Sequence, residues 1–224
     1  MKIQQMSVCL LEIIPELSLW DGITAFDDAV YKLVSGFISD SMTCFMKIVT
    51  FLGSEWAITF LAVIIPILIF ILRKKKYYRL GLLISANIAL GAFFNQVLKL
   101  IFNRPRPELY RIVEEVGYSF PSGHSMNSMI FYGFIAYQII KKGKHWSRIR
   151  PWSRVRHWSR YAAVVLIGLL VTLIGLSRIY LGVHYASDVL AGFLIGLGWL
   201  VAAAKISERY FLSNDERKKN DTVI

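Results

Sequence analysis

The fold class this sequence predicts is all-α: a polytopic membrane helix bundle, and three observations carry the prediction. Of its 224 residues, 55% are hydrophobic and 18% charged, with a mean hydropathy of +0.49, a balance too apolar for an ordinary soluble domain. Five runs are free of Asp, Glu, Lys and Arg and approach the ~20 residues needed to cross a bilayer. The basic residues behind the net charge of +11 cluster at the ends of these runs. That placement suits membrane topology and excludes the interleaved basic face of a nucleic-acid binder.

From the N-terminus, Met1 to Trp20 has an apolar centre broken by Glu12, Pro15 and Glu16, and reads as a sixth, weaker span or an interfacial helix. Lys2 gives only a thin basic region and no small-residue cleavage site follows, which disfavours a signal peptide. Asp21 to Ser54 mixes Asp27, Asp28, Lys32, Asp40 and Lys47 with Phe26, Val30, Val34, Phe37 and Phe45, as amphipathic helices on a membrane surface would. The five spans are Trp56 to Leu72, Leu80 to Leu98, Phe120 to Ile140, Tyr161 to Leu176 and Val189 to Ala204. Residues 1–206 are thus expected to form one integral membrane domain, and residues 207–224 a polar, frayed cytoplasmic tail. Cys9 and Cys44 form neither a metal-ligand spacing nor a disulfide framework.

Loops kept in the cytoplasm are rich in lysine and arginine. Arg73 to Arg79 holds five basic residues and Lys141 to Arg160 eight, with no acid in either, so both are expected inside. Lys99 to Phe120, Ser177 to Asp188 and Asp21 to Ser54 then fall outside, where acids, taken together, slightly outnumber bases. The second basic loop repeats a tetrad with a period of six, at His145, Pro151 and His157, each followed by Trp-Ser-Arg. Tryptophans and arginines so interleaved suit either an anionic headgroup layer or a solvated topology anchor.

Three polar groups converge on the outer face. The first is Lys99 with Arg106 and Pro107, in a run that also contains Arg104. The second is Pro121-Ser122-Gly123-His124, where a helix would begin and its free N–H groups favour an anion. The third is Ser177 to Asp188, with Arg178, His184 and Asp188. Taken singly each has a plain explanation: a snorkelling lysine, a turn into a helix, a helix-end ion pair. Their coincidence on one face points to chemistry. On a helix His184 and Asp188 would share a face, leaving one ring nitrogen for a substrate. Lys99, Arg106 and Arg178 offer three cations to an anion with several oxygens, for which phosphate is the obvious choice. His184 can attack phosphorus, His124 can protonate the leaving oxygen, and Ser122 with the Gly123 N–H can hold equatorial oxygens. Zinc on His124, His184 and Asp188 is disfavoured by the three neighbouring cations, so no metal or other cofactor is expected.

Lys-x6-Arg-Pro, Pro-Ser-Gly-His and Ser-Arg-x5-His-x3-Asp, in that order, resemble the signature motifs of the type 2 phosphatidic acid phosphatase superfamily. The sequence looks most like its small bacterial membrane members, of the phosphatidylglycerophosphatase B and undecaprenyl pyrophosphate phosphatase types. The resemblance implies a metal-independent lipid phosphatase of the bacterial plasma (inner) membrane, working extracytoplasmically through a phosphohistidine. Lys99, Arg106, Ser122, Gly123 and Arg178 would bind phosphate, His124 be the acid, His184 the nucleophile and Asp188 its partner. The partners expected are a lipid phosphate substrate and membrane lipids, with no nucleic acid. Undecaprenyl pyrophosphate ranks first because it appears on the outer face; phosphatidylglycerophosphate, phosphatidic acid and phosphoryl transfer to a lipid hydroxyl are the alternatives. A non-catalytic lipid transporter has no need of the His184–Asp188 pair, and no repeated halves are present.

Overall fold

Seven helices and no strands make up the described residues of the computed structural model, 16–72, 75–108, 111–147 and 154–220. They are α1 (Glu16–Ser35), α2 (Asp40–Leu52), α3 (Glu55–Ile71), α4 (Lys75–Phe102), α5 (Gly123–Ser147), α6 (Arg154–Tyr180) and α7 (Ala186–Asn220). Ser39 caps α2 by accepting the Met42 N–H at 3.3 Å, and Ser54 caps α3 by accepting the Ala57 N–H at 3.1 Å.

By length and composition, three stretches can cross a membrane: Gly81–Phe102, Trp158–Tyr180 and Ala186–Ile206, of 22, 23 and 21 residues. Helices α2 and α3 meet at 42° and together meet the same test as a broken span. The expected span Phe120–Ile140 is helical from Gly123 onward, but α5 is not among these stretches. The reason is its position. It packs against α3, α4, α6 and α7, and turns Met126, Ile130, Phe131 and Phe134 into a core shared with Ile58, Ala62, Ile84 and Ile88. A helix walled in by protein has less need of an apolar surface than one facing lipid, and α5 carries Ser125, Asn127 and Ser128 buried in its first turns. The outer helices instead expose large apolar side chains such as Phe93, Leu166 and Leu194.

Residues 1–15 of the weaker N-terminal segment lie outside the described residues, and Trp20 belongs to α1. The amphipathic region is more than a surface covering. Val30, Tyr31 and Val34 of α1 pack on Ile179, Ala186 and Val189, where α6 gives way to α7. The Tyr180 hydroxyl lies 2.9 Å from Thr43 Oγ1, tying α6 to α2. The tail expected to fray beyond residue 206 is helical, since α7 continues to Asn220. Residues 148–153 of the Trp-Ser-Arg repeat lie outside the described residues.

Small residues let α7 lie close against α5. A Cβ on Gly192 would stand 2.7 Å from the Ser122 carbonyl oxygen, and one on Gly196 2.9 Å from that of Met126. This spacing of small residues replaces the hydrophobic drive that helices lack in lipid. It brings the first turns of the two helices together, and the Ser122 N–H donates to the Asp188 carbonyl at 3.1 Å.

Candidate active site

The segments 103–108 and 111–122, the turn 181–185 and the N-terminus of α5 border a cavity of about 360 Å³. Lys99, at the last turn of α4, lines it with Arg106, Glu115, Gly123, His124 and His184. Ser54, Glu55, Trp56, Gln96 and Val116 complete the wall. Five of the residues expected from sequence are therefore on one cavity wall.

His184 precedes α7 and Asp188 sits in its first turn, so the pair does not share a helix face as the four-residue spacing suggested. A turn brings them together instead. Asp188 Oδ2 accepts the Tyr185 N–H at 2.9 Å and stands 3.5 Å from His184 Nδ1. The Ser119 hydroxyl donates to the same oxygen and lies 3.4 Å from Nδ1. On the other side of the ring, Nε2 is 3.3 Å from Nη1 of Arg106, a group that only donates. This assigns the ring proton to Nδ1, facing the carboxylate, and leaves the lone pair on Nε2. Burial, with the charges of Arg178 and Arg106, pushes His184 down to about 4 despite the hydrogen bond to Asp188. The imidazole is therefore neutral at physiological pH, as a nucleophile requires.

The arginines are less free than the sequence reading implied. Arg106 donates to the Val183 carbonyl at 3.0 Å, to that of Gly117 at 3.0 Å and to that of Val116 at 3.3 Å, and its Nη2 lies 3.3 Å from Glu115 Oε2. Arg178, 2% exposed, donates to Thr50 Oγ1 at 2.9 Å and pairs with Glu115, while its Nε is buried without a partner among the described residues. Glu115 is thus counter-ion to both. Burial works against its charge, but Arg178 and Arg106 outweigh that and hold its carboxyl below the usual range. A buried guanidinium without a counter-ion costs several kcal/mol, which accounts for the arrangement.

Ser122 and Arg178 are absent from the cavity wall. Ser122 is fully buried, its Oγ accepting from Ser125 at 3.1 Å, and contributes to the α5–α7 junction. Gly123 does reach the wall, and a Cβ there would stand 3.1 Å from Asn95 Oδ1 and 3.4 Å from Glu55 Oε1. Glycine keeps the backbone at the N-terminus of α5 open to the cavity. Among the described residues no group of three His, Cys, Asp or Glu is arranged to hold a metal ion.

Sequence reasoning missed four participants: Asp27, Glu115 and Ser119 entirely, and Arg104 as a ligand of Asp188. Arg104 Nη1 lies 2.6 Å from Asp188 Oδ1 and its Nη2 2.8 Å from Asp27 Oδ2, so its guanidinium bridges two carboxylates. The acid-bearing loop between two arginine motifs was a signal for Glu115. Nothing local marks Asp27, whose partners are 77 and 160 positions away.

Comparison with known proteins identifies the family. A family model described as the PAP2 superfamily matches residues 80–211. The chain is 33% identical over 177 residues to phosphatidylglycerophosphatase B of Bacillus subtilis (strain 168), covering 79% of this chain and 81% of that protein. It is also similar to the crystal structure of a transmembrane PAP2 type phosphatidylglycerolphosphate phosphatase from Bacillus subtilis, with a TM-score of 0.72 and 31% identity over 91% of this chain and 96% of that one. Aquifex aeolicus LpxE is more distant, with a TM-score of 0.56 and 25% identity over 79% and 93% of the two chains. With a helical membrane fold, motif residues gathered on one cavity and a family match across more than half of its length, the chain belongs to the PAP2 superfamily and is a membrane lipid phosphatase.

Proposed function

We propose that this phosphatase removes a terminal phosphate from a lipid at the extracytoplasmic face of a bacterial plasma membrane, through a phosphohistidine on His184. The observation that carries the reading is the ring of His184, with Nδ1 against Asp188 and the Nε2 lone pair directed to the cation-lined wall. Nε2 attacks phosphorus as the bond to the bridging oxygen breaks, and His124 gives that oxygen a proton. Water then attacks the phosphohistidine, His124 takes its proton, and inorganic phosphate and neutral His184 are released. Lys99, Arg106 and the Gly123 N–H stabilise the charge spread over the equatorial oxygens in both steps, and Arg178, buried behind the cavity wall, adds its positive charge from a greater distance. Ser122 supports this cradle from behind, through the junction with Asp188. The negative charge of the substrate is also what permits His124 to carry a proton beside three cations. Every step uses side chains, one backbone N–H and water, without a metal.

The basic loops favour a site on the outer face, where undecaprenyl pyrophosphate appears as cell-wall polymers are assembled; that supports it as the substrate. The names of the Bacillus subtilis relatives favour phosphatidylglycerophosphate as a second reading. Phosphate release by the purified protein, in detergent with EDTA, separates the two. Undecaprenyl pyrophosphate is expected to give the highest kcat/KM in a panel with phosphatidylglycerophosphate and phosphatidic acid. A clear preference for phosphatidylglycerophosphate selects the second reading, and activity lost to EDTA and restored by zinc or magnesium overturns the metal-free mechanism.

A further inference from the structure

Asp27 stands on α1, outside every motif, yet is 3% exposed and fully engaged. Its Oδ1 accepts the Ser187 N–H at 2.7 Å; its Oδ2 accepts the Ser187 hydroxyl at 2.7 Å and Arg104 Nη2 at 2.8 Å. Arg104 Nη1 donates to Asp188 Oδ1 at 2.6 Å and to Ser187 Oγ at 2.7 Å, and its guanidinium lies 4.1 Å from the centre of the Tyr185 ring. The two oxygens of Asp188 are thereby divided: Oδ1 to Arg104, Oδ2 to Tyr185 N–H, Ser119 and His184.

We propose that Asp27 and Arg104 are positioning residues of the reaction, holding the Asp188 carboxylate in the plane that aligns the His184 ring. The inference rests on the roles of His184 and Asp188 given above. A carboxylate bonded through one oxygen can still swing about its side-chain bond; a planar guanidinium that forks between it and a second, buried carboxylate removes that freedom. Lysine has a point charge and cannot reproduce the fork. Asp27, anchored to the Ser187 backbone at the head of α7, fixes the far side of the same fork. Neither residue lines the cation-rich cavity that would hold the phosphate. Their loss should therefore slow turnover without weakening substrate binding, whereas a pair that merely fastened α1 to the bundle would show its effect in stability.

The experiment measures kcat and KM for short-chain phosphatidic acid in detergent, with thermal unfolding of every variant, for the parent, Asp27→Asn, Arg104→Lys, Arg104→Ala and His184→Ala. Outer partners of a reacting group are worth 10–100-fold, so kcat is expected to fall by about that factor in Arg104→Ala and by about 10-fold in Asp27→Asn, with KM within about 2-fold of the parent. Arg104 is 17% exposed through its side chain, so guanidinium ion added to Arg104→Ala should recover part of kcat, while Arg104→Lys should recover little. The double variant Asp27→Asn/Arg104→Ala should be no slower than Arg104→Ala alone. The conservative Asp27→Asn keeps the assay decisive should Arg104→Ala fail to fold. Parent-like kcat in both single variants overturns the proposal, as does a kcat loss that follows lost thermal stability and is untouched by guanidinium. Activity in His184→Ala would instead remove the reading on which it rests.

Discussion

Glu115 pairs with Arg178 and lies 3.3 Å from Arg106 on the cavity wall. In the proposed mechanism the substrate phosphate competes with this carboxylate for Arg106 and has to displace it. Glu115→Gln removes the competing charge and keeps the shape; inorganic phosphate should then inhibit about 3–10-fold more strongly, an effect of order 1 kcal/mol. The pH dependence has a defined sign. The Glu115 carboxyl is held below its usual range by the two arginines, so the difference between parent and variant should be constant near neutrality and vanish only as pH falls through that depressed value. Inhibition constants for phosphate measured against pH in both proteins test this, and equal constants at neutral pH would show that Glu115 does not compete. The motif residues were legible in the sequence because their spacing alone carries the chemistry. Glu115 and Ser119 were not, because their role depends on how loop 103–122 folds back over His184, and the loop has no periodicity to read.

At the scale of elements, the apolar runs were legible and their limits were not. Helix α6 runs to Tyr180 and α7 begins at Ala186, so the stretch from Ser177 to Asp188 is a helix end, a turn and a helix start. Gly182, with φ of 68°, makes that turn in the left-handed region open to glycine, and so sets His184 beside a carboxylate it does not share a helix with. The central helix α5 was legible as an uncharged run, yet it is less apolar than the outer spans because much of its surface packs on protein. Packing of α7 on α5 can be tested at Gly192, where a Cβ would lie 2.7 Å from a backbone oxygen that cannot yield. Gly192→Ala should destabilise by about 1–3 kcal/mol, the cost of forcing a packed interface apart. It should also lower activity, by moving Asp188 away from Ser122. Gly198 offers a matched control: nothing lies within 4 Å of its would-be Cβ, so Gly198→Ala should unfold at or above the parent temperature. Thermal unfolding in detergent compares the two, and an equal response would contradict the packing account.

For the molecule as a whole, composition alone identified a membrane bundle, and the order of three short motifs identified the family. What the sequence could not supply was the manner in which distant segments meet. Asp27 and Ser187 are 160 positions apart, and α1, expected to rest on the membrane surface, reaches instead to the back of the reacting pair. The bundle therefore acts as a frame: α4 brings Lys99, α5 brings His124, α6 brings Arg178, α7 brings Asp188, and the loops between them carry Arg106 and His184. In the proposed mechanism the frame serves His184: Asp188 lies 3.5 Å from its Nδ1, where it can stabilise positive charge on the ring when phosphorus becomes attached to Nε2.

The stereochemical course at phosphorus tests that claim most directly. A lipid phosphate carrying a chiral, oxygen-isotope-labelled thiophosphate is hydrolysed by the full-length protein, and the configuration of the released thiophosphate is read. Two successive in-line displacements, on His184 and then by water, predict net retention; net inversion would mean direct attack by water and would contradict the account.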